Sequence, residues 1–162
     1  MGVWGCISYA SDHAMDLLDR MAARDRKGNI IRRNGHEYIV PSKAKKAMRL
    51  ILKSIQPDIQ AFMSFIERCR AEHKMYWVIE QPCAICSRPD TYELEQYLGA
   101  VIYIIQHAKW KRILSKKQLQ VAQDIARTFL NPTYLAPWKH PKEKKECLET
   151  EIHLLERSIN AR

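Results

Sequence analysis

Glycine is scarce in this chain, with 5 in 162 residues, and proline is modest, with 7. That leaves too few turn-formers for an all-β design of many short strands and favours helices joined by short connections. No apolar run reaches membrane-spanning length. The most apolar stretch, "YLGAVIYIIQHA", has 12 residues, where a spanning helix needs about 20, so no membrane is expected as a partner. The opening "MGVWGCISYASDHAMD" has neither the basic start nor the apolar stretch of a secretory leader. It also misses the myristoylation pattern, with Cys6 where Ser or Thr is required. The five cysteines are odd in number and widely spread, with only Cys83 and Cys86 close. Without an export signal, reduced thiols and a cytoplasmic location are the expectation. Catalytic signatures are missing as well. There is no Gly-x-Ser-x-Gly elbow, phosphate-cradling glycine loop, His-Glu-x-x-His or dinucleotide fingerprint.

What the chain does have is enough length for one real core and a strong positive balance. Lys and Arg number 27 against 18 Asp and Glu, a net charge of +9. Such a balance by itself favours acidic partners: nucleic acid, an acidic protein face or an anionic membrane surface. No linker, repeat or low-complexity stretch divides the sequence, so residues 1–162 are read as a single helical domain.

Apolar periodicity places the elements. In "SDHAMDLLDRMAAR", Ser11 is positioned as N-cap, and Ala14, Leu17, Leu18 and Met21 form a helical stripe. "GNIIRRNGHEYIVP" has two short β-prone runs, residues 30–31 and 38–40, around Asn34 and Gly35. That dipeptide suits a type I′ hairpin turn. The next helix, "SKAKKAMRLILKSIQ", turns Ala44, Ala47, Met48, Ile51, Leu52 and Ile55 inward. Lys43, Lys45, Lys46, Arg49 and Lys53 remain outside. Pro57 is read as the first residue of a separate helix, with Ile59, Phe62, Met63 and Ile66 facing the core. A β-prone run and a loop with two prolines follow. "TYELEQYLGAVIYIIQHAKW" is apolar nearly all round and is predicted to be the central buried helix. A helix capped by Ser115 and a final helix with Cys147, Leu148, Ile152, Leu155 and Ile159 on one side complete the chain. The fold class is therefore mainly α, a single-domain bundle of about five to six helices with a small β-hairpin.

Gly2, Trp4 and Gly5, followed by Asp12, Ala14 and Asp16, carry a resemblance. The opening is similar to that of a family of short, mostly bacterial or phage proteins of unknown function. Its members begin Met-Gly-x-Trp-Gly and soon reach an Asp-x-Ala-x-Asp helix. A second likeness is the helix "VAQDIARTFL", the link "NPTYLAPW" with Trp138, and a final helix. The resemblance implies a helical domain without known catalytic residues. The basic character departs from many members of that family, which are acidic. Read as residues alone, Trp4 offers a large packing surface and the two glycines allow close backbone approach.

Two constellations could carry metal chemistry. Cys69, His73, Cys83 and Cys86 offer four zinc ligands. Cys69 and His73 share a helical face, and the Cys-x2-Cys pair sits in a proline-flanked loop. The competing reading is an ordinary loop pair with a buried Cys69 and a surface His73. Asp12, His13, Asp16 and Asp19 could hold a divalent ion, against the plainer account that acids near a helix N-terminus complement its dipole. No cofactor is expected beyond a candidate zinc. His107 is read either as a buried acid–base group or as a helix C-terminal histidine favoured by the dipole.

Two basic segments could contact a partner or nucleic acid. Lys109, Lys111, Arg112, Lys116 and Lys117 surround Trp110, so cations could meet phosphates while the ring stacks a base. Arg26, Lys27, Arg32 and Arg33 would make the hairpin a basic finger. The reading that follows is a small non-enzymatic interaction protein of bacterial or phage origin. It would bind an acidic protein partner, as an immunity protein, antitoxin or inhibitor of a defence system does. The alternative is a basic nucleic-acid-binding module, with a zinc site as its support, and a metal-dependent enzyme is the lesser alternative.

Overall fold

The structure is a computed structural model that describes residues 8–9, 12–72, 91–108, 111–135 and 138–162. It is mainly helical, with one small antiparallel hairpin, as the apolar periodicity predicts. The order is α1 (Asp12–Met21), β1 (Arg32–Arg33), β2 (His36–Glu37), α2 (Pro41–Glu72) and α3 (Tyr92–His107). A single 3₁₀ turn (Lys111–Ile113), α4 (Lys116–Phe129), the one-turn α5 (Pro132–Leu135) and α6 (Pro141–Asn160) follow.

α3 is the centre of the bundle. Ten consecutive or near-consecutive residues from Leu94 to Ile104 are buried, so it has no solvent face over most of its length. α1, α2, α4 and α6 all pack against it, and α4 also lies along α6. The approach of α1 is close because residue 99 is glycine. A Cβ there would stand 2.5 Å from the Ala14 Cβ and 2.6 Å from the Ser8 carbonyl oxygen. One helix therefore fits under the other only in the absence of a side chain.

The hairpin turns at Asn34 (φ 53°) and Gly35 (φ 77°), the paired positive φ values of a type I′ turn. Register pairs Arg32 with Glu37 and Arg33 with His36. The strands lie inside the β-prone runs rather than on them. Ile30 and Ile39 form isolated bridges with Arg24 and Ala22 instead, so the hairpin is stitched to the segment that leaves α1.

The division at Pro57 is corrected by the structure: α2 runs unbroken for 32 residues with Pro57 inside it, a length of about 48 Å. Proline removes one intrahelical hydrogen bond and crowds the preceding turn. Here Pro57 lies on the exposed side, while Ala44, Met48, Ile51, Ile55, Phe62 and Ile66 are buried at spacings of three, four or seven residues straight through it. The apolar stripe thus outweighs the local helix breaker. Met63, expected in the core, is 40% exposed, and Phe65 takes the inward place. α4 begins as expected. The Ser115 side chain accepts from the Gln118 backbone N–H, and the Ser115 N–H donates back to Gln118 Oε1, a reciprocal capping box.

Candidate binding face

α2 presents a long basic side to solvent. Lys43, Lys45, Lys46, Arg49 and Lys53 are all exposed. On one flank of this ridge is an open groove of about 800 Å³ between α2, the 3₁₀ turn, the start of α4 and the chain end. Lys45, Lys46, Arg49, Arg112 and Arg162 line it, and no Asp or Glu side chain does. Leu52, Ile113 and Leu114 supply apolar surface in the same groove. The cations of α2 and the Arg112 region, distant in sequence, thus meet on one surface. Lys116 and Lys117, on the first turn of α4, are exposed.

The hairpin carries a second group of polar residues. Glu37 is buried against α1, with its side chain only 3% exposed. Neither carboxylate oxygen makes a hydrogen bond of good geometry among the described residues, although the Asp19 carboxyl is close enough to interact with it. Arg32, across the strand, approaches to 3.7 Å but is itself 58% exposed, so its charge is largely spent on water. Burial, followed by the neighbouring Asp19 carboxyl, pushes the Glu37 pKa up to about 7, against the pull of Arg32 and Arg24. Beside it the His36 and His107 rings stack at 3.8 Å. The Tyr9 hydroxyl is hydrogen-bonded to His107 Nε2 at 3.1 Å. The Tyr103 hydroxyl donates to the Glu37 carbonyl at 3.1 Å. His107 does end its helix, yet its pKa is lowered. Burial and the adjacent His36 oppose its charge more than the helix terminus favours it.

A third polar group is interior. Ser8 donates from its backbone N–H (2.7 Å) and its hydroxyl (2.5 Å) to the two oxygens of Glu151 on α6. Lys144, 3% exposed, places its ammonium 4.4 Å from the centre of the Trp138 ring. Burial lowers the Lys144 pKa and raises that of Glu151, and each opposes the other's shift. Glu151 thus ties Ser8 to α6, and Lys144 ties Trp138 to the same helix. Trp138, singled out for its place in the link, packs against the core and this lysine.

Of the sequence-derived site residues, Arg26, Lys27, Arg32 and Arg33 are exposed around the hairpin. Arg33 is not simply a free cation, because its guanidinium lies 4.3 Å from the centre of the Tyr38 ring. Gly2, Trp4, Gly5, Lys109 and Trp110 lie outside the described residues, as do His73, Cys83, Cys86 and the side chains of Cys69 and Lys111. Asp12 and Asp16 open α1, with Asp16 exposed. Among the described residues no group of three or more His, Cys, Asp or Glu side chains is placed to hold a metal ion. Among them, too, no helix is long and apolar enough to cross a membrane. The expectation of reduced thiols is corrected: Cys147 on α6 is disulfide-bonded. Disulfides persist in oxidising surroundings, so reduced thiols give no footing for a cytoplasmic location.

The sequence reading missed Glu37, Asp19 and the His36–His107 stack as a group. Alternation along the hairpin could have suggested that Glu37 points inward, but nothing in the sequence brings His107, 71 positions later, to His36. Compared with known families, with curated proteins and with solved structures, the chain shows no match.

Proposed function

We propose that this protein is a small non-enzymatic interaction protein that captures an acidic partner protein on the outer side of α2. The observation that carries this reading is the cation-rich groove, which no Asp or Glu side chain lines. Lys45, Lys46, Arg49, Arg112 and Arg162 converge there from three parts of the chain. Cations gathered on one surface of a +9 protein steer an acidic partner into encounter and disfavour basic ones. Leu52, Ile113 and Leu114 give the same groove apolar area to bury, which a purely electrostatic contact would lack. Mode of action by occlusion, as in an immunity protein, antitoxin or inhibitor of a defence system, fits a chain without a catalytic signature. So does the resemblance of its opening to a family of short bacterial and phage proteins.

The test is affinity capture from the native host with the wild-type chain and a Lys45→Glu/Arg49→Glu variant. A protein retained by the wild type, lost by the variant and released by salt supports the reading. Retention of the same partner by both proteins removes the groove from the account. Retention that disappears on nuclease treatment replaces the protein partner with nucleic acid, whose binding falls steeply with salt concentration.

A further inference from the structure

The other flank of α2 holds a second groove, about 660 Å³, between α1, α2 and α3. Its α2 wall contains Lys43, Lys46, Ala47, Leu50, Ile51 and Ser54. Those positions are spaced three, one, three, one and three apart, so they form one continuous helical stripe. Leu17 of α1 faces them, and Tyr92 of α3 lines the same groove. The apolar part of the lining includes Leu50, which is 56% exposed, more than Met63, the other large exposed hydrophobic among the described residues. Arg20 on α1 and Lys43 and Lys46 on α2 line the groove with cations, and Glu93 of α3, beside Tyr92 and Gln96, is the one acidic side chain in the lining. Lys46 lines this groove and the basic groove alike, so the two surfaces are continuous across α2.

An apolar strip lined by three cations against one carboxylate has a definite complement. We infer that this groove receives an amphipathic helical segment of the acidic partner, with aliphatic side chains over Leu50 and carboxylates toward Arg20, Lys43 and Lys46. The inference rests on the acidic-partner reading and specifies the element through which that partner docks. Helix-in-groove recognition uses this arrangement, with aliphatic anchors at i, i+3, i+4 and i+7 and charges at the margins. Other occupants fit less well. A second copy would bring Arg20, Lys43 and Lys46 toward like charges. Nucleic acid would satisfy the cations but leave Leu50 and Ala47 without an apolar counterpart. A flat anionic bilayer surface cannot follow a concave strip.

Two synthetic peptides of equal length and equal glutamate content test it on the full chain. One places leucines at i, i+3, i+4 and i+7; the other has the same residues in an order without an apolar face. The patterned peptide is expected to bind at least about tenfold more tightly, the ratio that burying one leucine side chain supplies. Leu50→Ser should abolish that preference while leaving thermal stability unchanged, since the side chain is exposed. Lys43→Glu/Lys46→Glu should weaken both peptides. Amide shifts in NMR spectra on binding should include Leu17 and Tyr92. Equal binding of the two peptides, or a preference that survives Leu50→Ser, overturns the groove while the acidic-partner reading stands. Binding of single-stranded DNA in place of either peptide overturns both. Preferential binding to anionic vesicles, or a dimer in sedimentation that Leu50→Ser dissociates, also overturns the inference.

Discussion

Single side chains decide two measurable properties. Glu37 is an acid whose pKa is higher folded, at about 7, than its ordinary 4.5. The folded state therefore binds its proton more tightly than the unfolded chain. Stability is greatest below the ordinary value and falls as pH rises through about 7. Glu37→Gln removes that dependence, so the difference in melting temperature between pH 6 and pH 8 should shrink in the variant. An unchanged difference would dismiss Glu37 as its source. His107 acts with the opposite sign. Its pKa is lowered from 6.5, so folding favours the neutral ring; that stability is complete above 6.5 and is lost as pH falls below it. His107→Gln should flatten the acid side of the profile, which separates the two groups although their windows overlap. Gly99 is the other decisive position. Adding one methyl there sets it against Ala14 and the Ser8 backbone, and overpacking of this kind costs about 1–3 kcal/mol. Gly99→Ala should lower the denaturation midpoint accordingly, without changing helix content.

At the scale of elements, α2 shows how a stripe overrides a residue. A proline in a helix interior costs about 3 kcal/mol relative to alanine, yet the buried positions on either side of Pro57 keep their spacing. The helix spans both halves. Pro57→Ala should therefore raise the midpoint of urea denaturation and leave the fold intact. Loss of stability in that variant would mean that Pro57 is required where it stands. The hairpin makes the complementary point. Asn34 and Gly35 announce the turn from sequence, because both must adopt positive φ. The isoleucines around it pair with the chain leaving α1, and that pairing depends on where α1 ends in space. Ser115 was legible as a helix cap because capping is local, and the structure adds Gln118, three residues on, as its reciprocal partner.

At the scale of the whole molecule, charge and covalent linkage are the relevant quantities. The +9 balance is a property of composition, but its consequence depends on the collection of cations along α2 and beside Arg112. The Cys147 disulfide adds a constraint on the unfolded chain worth about 2–4 kcal/mol in typical cases. Reduction should lower the melting temperature, and mass spectrometry after thiol alkylation should count two fewer free cysteines in the untreated protein than in the reduced one. An identical count in both would mean that Cys147 is a free thiol in solution.

The sequence by itself determined the class of the fold, the identity of the buried central helix, the turn of the hairpin and the sign of the charge. Each of these follows from composition or from contacts within a few residues, where periodicity and backbone preference act. The tertiary structure decided the unbroken course of α2 and the burial of Glu37 beside Asp19. It also decided the stacking of His36 on His107 and the pair of grooves that share Lys46. Those features join residues far apart in the chain, and their energies come from packing and desolvation. Neither term exists until the helices have assembled, so no local pattern records it.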